Sequence, residues 1–226
     1  MKISIAIPTY ECHGYGWLFI SELLNSIKKQ SYTNYEVVIS DQSNDDITRK
    51  LVNFYSDLMD IKYLDSKHLS RKIGVNMNNA IKHCSGDIIK PMCADDFLLS
   101  ENTLSIISNT FKSVTNQWMI MGTLHCNSIH FLHIRIIPRY HDKIHLGQNT
   151  ISSPSVLAMR TKEYLDENLS LLIDCEHFKR LHMKYGNPCI IDDPLICNRI
   201  HLNQMQNQDA SLMDKEKEYC IGLYGG

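Results

Sequence analysis

Two adjacent carboxylates, Asp95 and Asp96, close a short apolar run in the stretch CSGDIIKPMCADDFL, residues 84–98. Two hard oxygen ligands side by side can hold Mg²⁺ or Mn²⁺ against a diphosphate, and the ion then acts as a Lewis acid on the departing phosphate oxygen. Adjacent aspartates also serve as plain helix caps, so their place in the fold decides. If residues 87–92 form a buried strand, the pair sits just past its carboxyl end, where open α/β sheets bind ligands.

The elements that would position this pair can be read from periodicity. Residues 2–7 alternate and stop at Pro8, giving a first strand. Trp17, Ile20, Leu23, Leu24 and Ile27 recur at helical spacing. Residues 35–40 form a second strand, followed by a polar turn, Asp41 to Asp46, able to cap a helix over about 46–58. A third strand over 61–64 and a helix over 69–84, ended by Gly86, lead to the fourth strand. Strands alternating with helices predict a mostly parallel sheet covered on both faces. Further on, Leu104, Ile107 and Phe111 predict a helix, and 118–123, 129–137 and 156–159 predict strands. Residues 140–155 read as a loop over the site, 173–185 as a helix, and 190–200 as extended chain interrupted at Pro194. The polar tail carries a short helix around 209–219.

The whole chain sets wider bounds. Its 226 residues, 43% hydrophobic, allow one substantial core. A net charge of −2 without runs of like charge excludes a surface built for nucleic acid. The N-terminal apolar run meets Pro8 at once, and no stretch approaches the about 18 apolar residues of a membrane span. Eight scattered cysteines without a CxxC pair fit reduced thiols. A cytoplasmic protein is expected, with peripheral contact at a membrane left open.

The series ISIAIPTYE, YEVVISDQSNDD and MNNAIKHCSGDIIKPMCADDF resembles, in order and spacing, the motifs of family 2 glycosyltransferases. The later stretches GQNTISSPSVLAMR, IDCEHFKRL and NRIHLNQ resemble acceptor-side motifs of bacterial-type members, extending the likeness to about residue 205. The resemblance implies a GT-A fold: a single α/β domain with a mostly parallel central sheet flanked by helices. Residues 1–100 would form a nucleotide-binding half, 101–205 an acceptor-side half, and 206–226 a tail.

Carried over by position, the likeness gives each residue a part. Pro8, Thr9, Tyr10 and Glu11 match the loop that contacts the nucleotide base. Asp41 matches the aspartate that accepts from a base imide, with Ser43 in the same turn. Asn78 falls near the phosphates, although Asn79 and Ala80 depart from the usual small residue and Gly. The metal motif, usually Asp-x-Asp-Asp, here reads Cys93-Ala94-Asp95-Asp96, so Asp95 is the expected metal anchor and Ala94 a nucleotide contact, while Cys93 weakens a sugar contact. Asp174 matches the catalytic base, with Glu176 second. A helix cap for Asp174 and an i,i+4 pair of Glu176 with Arg180 are the plain alternatives. Arg199 and His201 resemble the element that meets diphosphate and metal, and Ser153 and Ser155 the acceptor-side loop.

The implied activity is metal-dependent transfer of a sugar from a nucleotide diphosphate, UDP- or dTDP-linked, to a saccharide or lipid-linked hydroxyl, inverting, with Mn²⁺ or Mg²⁺. The alternative is a sugar-nucleotide-binding protein that kept the fold without catalysis. A dehydrogenase or nucleotidyltransferase is disfavoured, because no Gly-rich loop follows the first strand. The grouping of Cys126, His130 and His133 fits no structural zinc spacing.

Overall fold

Continuous apolar character in the first strands reflects burial on both faces, which parallel strands covered by helices require. A computed structural model describes residues 1–127, 131–201 and 210–226. Strands β1 (Ile3–Thr9), β2 (Tyr35–Asp41), β3 (Ile61–Asp65) and β4 (Ile88–Pro91) lie in the order β3-β2-β1-β4, all parallel. Helices α1 (Gly16–Lys28), α2 (Ile47–Ser56) and α3 (Ile73–Lys82) connect them. Helix α3 is shorter than its sequence pattern: it ends at Lys82, before Gly86, with His83 as its C-cap.

The second half of the sheet is mixed. Beyond β4 come β8 (Leu157–Met159), β6 (Trp118–Cys126), β9 (Cys189–Arg199) and β5 (Phe97–Leu98), with β7 (Phe131–Ile136) pairing β6. The β4–β8, β6–β8, β6–β7 and β5–β9 pairings are antiparallel, while β6–β9 is parallel. Uninterrupted parallel order thus holds for the first half only, and β6–β9 is a parallel pair among antiparallel ones. The two-residue β5 has no periodic signature. Pro194 does not break β9: it pairs opposite Gly122 at a register shift, where a missing ladder N–H is tolerated. A Cβ on Gly122 would lie 2.4 Å from the Asp192 carbonyl, so only glycine admits that approach.

Helix α4 (Thr103–Ser113) follows β5, and α5 (Ile173–Tyr185) precedes β9. The loop 140–155 contains a 3₁₀ turn, Ile144–Leu146, on which both α5 and the last helix, α6 (Ala210–Tyr224), pack. One continuous core joins β1, β2 and β4 with α1, α3, α4 and α5. Of the sequence expectations, positions 129 and 130, including His130, the side chain of His133 and motif positions 202–204 lie outside the described residues.

Candidate active site

Three segments meet at the carboxyl ends of β1, β2 and β4. The first is the turn after β1. Cys12 and His13 take positive φ values of 44° and 54°, and a Cβ on Gly16 would come within 2.2 Å of the Tyr10 carbonyl. The chain therefore doubles back tightly before α1, leaving the Tyr10 ring partly exposed. Glu11 is clamped by Arg71, whose Nη2 lies 2.8 and 2.9 Å from its two oxygens, and by Asn44 Nδ2 at 2.8 Å. Arg71 also donates to the Gln42 carbonyl, joining the turns after β1 and β2.

The second segment is the turn after β4. Asp96 is buried and accepts from Ser153 Oγ (3.0 Å), Asn198 Nδ2 (2.8 Å) and the Arg199 N–H (3.1 Å). Burial, with the neighbouring Asp95 charge, pushes its carboxyl well above the usual range. Asp95 faces His201, with Nε2 3.0 Å from Oδ2. Ligand atoms of Cys93, Asp95 and Asp96 all lie within 4.8 Å of one another. Arg199 donates from Nε to the Asp95 carbonyl (3.0 Å), pairs with Glu22, and lies over the rings of Phe19 and Phe97. Its charge braces the Asp95 turn from behind.

The third segment brings α5. Asp174, in its first turn, accepts from the Cys175 N–H (2.8 Å) and from Asn149 Nδ2 (2.9 Å). Burial outweighs these bonds and pushes the carboxyl up to about 6. The helix start is held by Glu216 of α6, which accepts from the N–H groups of Ser170, Leu171 and Leu172 at 2.8–2.9 Å.

Between these segments lies a cleft of ≈ 750 Å³, within the range of small-molecule sites. Pro8, Tyr10, Glu11, Ala94, Asp95, Ser153, Asp174, Arg199 and His201 line it, as do Cys93 and Asp96. The remaining sequence candidates do not. Asp41 is fully buried, with Ser43 N–H and Oγ on one oxygen (2.8 and 2.6 Å) and the Tyr63 hydroxyl on the other (2.7 Å). Thr9 and Ser43 are buried beside the turns. Asn78 turns to Leu165, bonding both its N–H and its carbonyl, and to Glu167. Ser155 is buried as a brace: its Oγ accepts from the Cys93 N–H at 2.9 Å and its carbonyl accepts from Lys90. Glu176 is buried on the far side of α5, bonded to Arg180 (2.8 Å) and to the Tyr224 hydroxyl (2.5 Å), so the i,i+4 alternative describes it.

Other residues carry no periodic signal and emerge only in three dimensions. Asn76 lines the cleft, donates to the Thr9 carbonyl (3.0 Å), and keeps a buried Oδ1 with no partner among the described residues. Asn149 and Asn198 orient the two acids through contacts remote in sequence. Lys90 did leave a sign, as a lone cation in an apolar strand. It is fully buried, and burial lowers its ammonium to about 7.

Residues 4–113 match the sequence model of Glycosyl transferase family 2. Those residues, just under half of the chain, belong to that family. Among curated relatives, it is 33% identical over 103 residues to the Staphylococcus aureus poly(ribitol-phosphate) beta-N-acetylglucosaminyltransferase TarS, covering 45% of this chain and 17% of that one. It is 23% identical over 167 residues to the putative glycosyltransferase EpsE of Bacillus subtilis, covering 72% and 58%. Among solved structures, S. aureus TarS 1–349 in complex with UDP-GlcNAc superposes with a TM-score of 0.69 at 22% identity, over 92% of this chain and 61% of that one. The mannosyltransferase PcManGT of Pyrobaculum calidifontis, in complex with GDP-Man and Mn²⁺, gives 0.63 at 16%, over 87% and 56%. These likenesses establish the GT-A fold for the chain. The chain spans only a sixth of the whole TarS sequence and about three fifths of EpsE. Among the described residues, no helix is long and apolar enough to cross a membrane.

Proposed function

We propose that this chain is a metal-dependent glycosyltransferase that moves a sugar from a nucleotide diphosphate to a hydroxyl acceptor with inversion, in glycan synthesis. The observation that carries this reading is one cleft lined by Asp95, His201 and Asp174, an acid whose carboxyl is pushed up to about 6. Relatives named as acting on undecaprenol-linked and poly(ribitol-phosphate) acceptors support a saccharide or lipid-linked acceptor. UDP in the TarS complexes supports a uridine donor. A site on the cytoplasmic side, peripheral to the membrane, fits such acceptors.

The donor set fits a divalent cation: Asp95, a partly exposed carboxylate, has the Cys93 thiol and the Asp96 carboxylate within 4.8 Å and the His201 Nε2 3.0 Å away. Asp95 and His201 would hold Mn²⁺ or Mg²⁺, which supplies charge stabilisation to the departing diphosphate. The chain's own residues do the rest. The Tyr10 ring, exposed at the cleft, covers a base face, and Glu11 with Arg71 fixes the turn beneath it. Asn76 Oδ1 offers a buried acceptor for a ligand N–H, in place of the internally bonded Asp41. Asp174, ionised above about pH 6, takes the acceptor proton as its oxygen attacks the anomeric carbon. Asn149 keeps that carboxylate aimed.

A panel of nucleotide sugars, read by release of nucleoside diphosphate with Mn²⁺ present, tests this reading. Turnover that Asp174→Asn abolishes, with donor binding unchanged, is the expected result. Binding without turnover, unaltered by Asp174→Asn, would instead mark a sugar-nucleotide-binding protein.

A further inference from the structure

We propose that Cys93 is a thiolate ligand of the divalent-cation site, so that this chain favours thiophilic ions such as Co²⁺ and Zn²⁺ over Mg²⁺. The inference rests on the metal-dependent reading of the cleft and concerns which ion the site takes.

The backbone at Cys93 is held by a buried neighbour. Cys93 leaves β4 with its N–H on Ser155 Oγ at 2.9 Å, and Ser155 is itself buried and tied by its carbonyl to Lys90. The backbone that carries the thiol therefore cannot move without breaking a buried brace. Its Sγ shares a 4.8 Å neighbourhood with the carboxylate oxygens of Asp95 and Asp96, and all three residues line the cleft. Asp96 is already occupied by Ser153, Asn198 and the Arg199 N–H, which makes it a holder of the turn. Cys93 and Asp95 then remain, with His201 Nε2 3.0 Å from Asp95 Oδ2. A sulfur beside a carboxylate oxygen forms a pair that Mg²⁺ accepts poorly, because it demands oxygen in a near-ideal octahedron. Later first-row divalent ions accept it readily.

A cysteine kept only for packing would lie among apolar side chains. This one faces two carboxylates, and burial together with Asp96 and Asp95 pushes its thiol up. A bound cation reverses that environment. Coordination exchanges the Sγ proton for the ion, and the proton leaves to solvent.

The test is titration of the full chain with Co²⁺, alone and with UDP, followed by absorption and calorimetry. A sulfur-to-cobalt charge-transfer band in the near ultraviolet is expected. Cys93→Ser should remove it, and Cys126→Ser, outside the cleft, should keep it. Cys93→Asp should bind Co²⁺ without the band and shift the Mg²⁺-to-Co²⁺ affinity ratio toward Mg²⁺ by about tenfold or more. Circular dichroism establishes that each variant is folded, and the Asp variant decides the question if the Ser variant is not. Cobalt binding that Asp95→Asn removes but that shows no band, or a band that survives in Cys93→Ser, would overturn thiolate ligation while leaving the transferase reading intact. Absence of any Co²⁺ binding would also overturn it. The donor panel, run with and without metal, judges the transferase reading separately.

Discussion

The two ends of the parallel strands treat buried carboxylates in opposite ways. At the amino end, Glu36 of β2 accepts from Lys2 Nζ (2.7 Å), Ser4 Oγ (2.5 Å), and the Ser85 N–H and Oγ (2.5 and 2.8 Å). Burial pushes its carboxyl up, but the ammonium and three other donors outweigh it and hold the group at about 2. At the carboxyl end, Asp96 has three neutral donors and Asp174 two, and burial wins at both. Arg199 reaches Asp96 only through its backbone N–H and turns its guanidinium to Glu22. A cation built into the fold makes a carboxylate structural. A cleft carboxylate lacking one beside it, as Asp174 does, is left to act on what enters.

Removing a carboxylate from each end breaks this comparison open. The largest effect belongs to Asp174→Asn, which keeps shape but cannot take a proton. Loss of kcat by about 10²–10⁴ is expected, with donor affinity unchanged, from steady-state rates beside calorimetry. In the wild type, kcat/KM should fall about tenfold per pH unit below about 6, since only the ionised acid accepts a proton. An acid limb centred near pH 4 would show that Asp174 is not the base. Next comes Asp95→Ala: metal-dependent binding of UDP should weaken by more than about 100-fold, beyond what loss of a supporting contact costs.

Glu36→Gln should act on stability alone. It removes charge-assisted bonds at a buried site, so a loss of about 2 kcal/mol and a fall in Tm of roughly 4–8 °C are expected, with kcat unchanged. The sign with pH follows from the lowered pKa. The wild-type advantage is full above about pH 4.5 and vanishes as pH falls through about 2. Denaturant melts of both proteins across that window should converge in acid, and parallel curves would reject the ionic account.

How much was legible in the sequence follows the same division. The strands β1, β2 and β4 announced themselves, because burial on both faces forces apolar runs ended by Pro8, Asp41 or the Asp95 turn. Helix α5 was readable to the residue from its spacing. The second half of the sheet was harder. Strand β5 is too short to have a period, β9 carries a proline, and both exist through pairing with distant strands. The site split likewise. Asp95, Asp174 and His201 could be placed by motif, whereas the internal bonds of Asp41, Asn78 and Glu176 depend on partners 22, 87 and 48 residues away. No local pattern encodes such partners.

Glu216 joins the two behaviours in one residue and gives the smallest expected effect. The short helix expected in the polar tail is the longer α6, and its buried Glu216 takes three N–H groups at the start of α5, one turn before Asp174. An anion there satisfies donors that a helix start leaves open and complements its dipole. Glu216→Gln keeps an oxygen but loses the charge, so stability should drop by about 1 kcal/mol. Because α5 carries the proposed base, kcat should fall a few-fold while donor affinity stays constant. If kcat holds while Tm falls, α6 supports the core without aiming Asp174. If both hold, the helix start is stabilised by its packing on the 3₁₀ turn Ile144–Leu146 and not by the carboxylate.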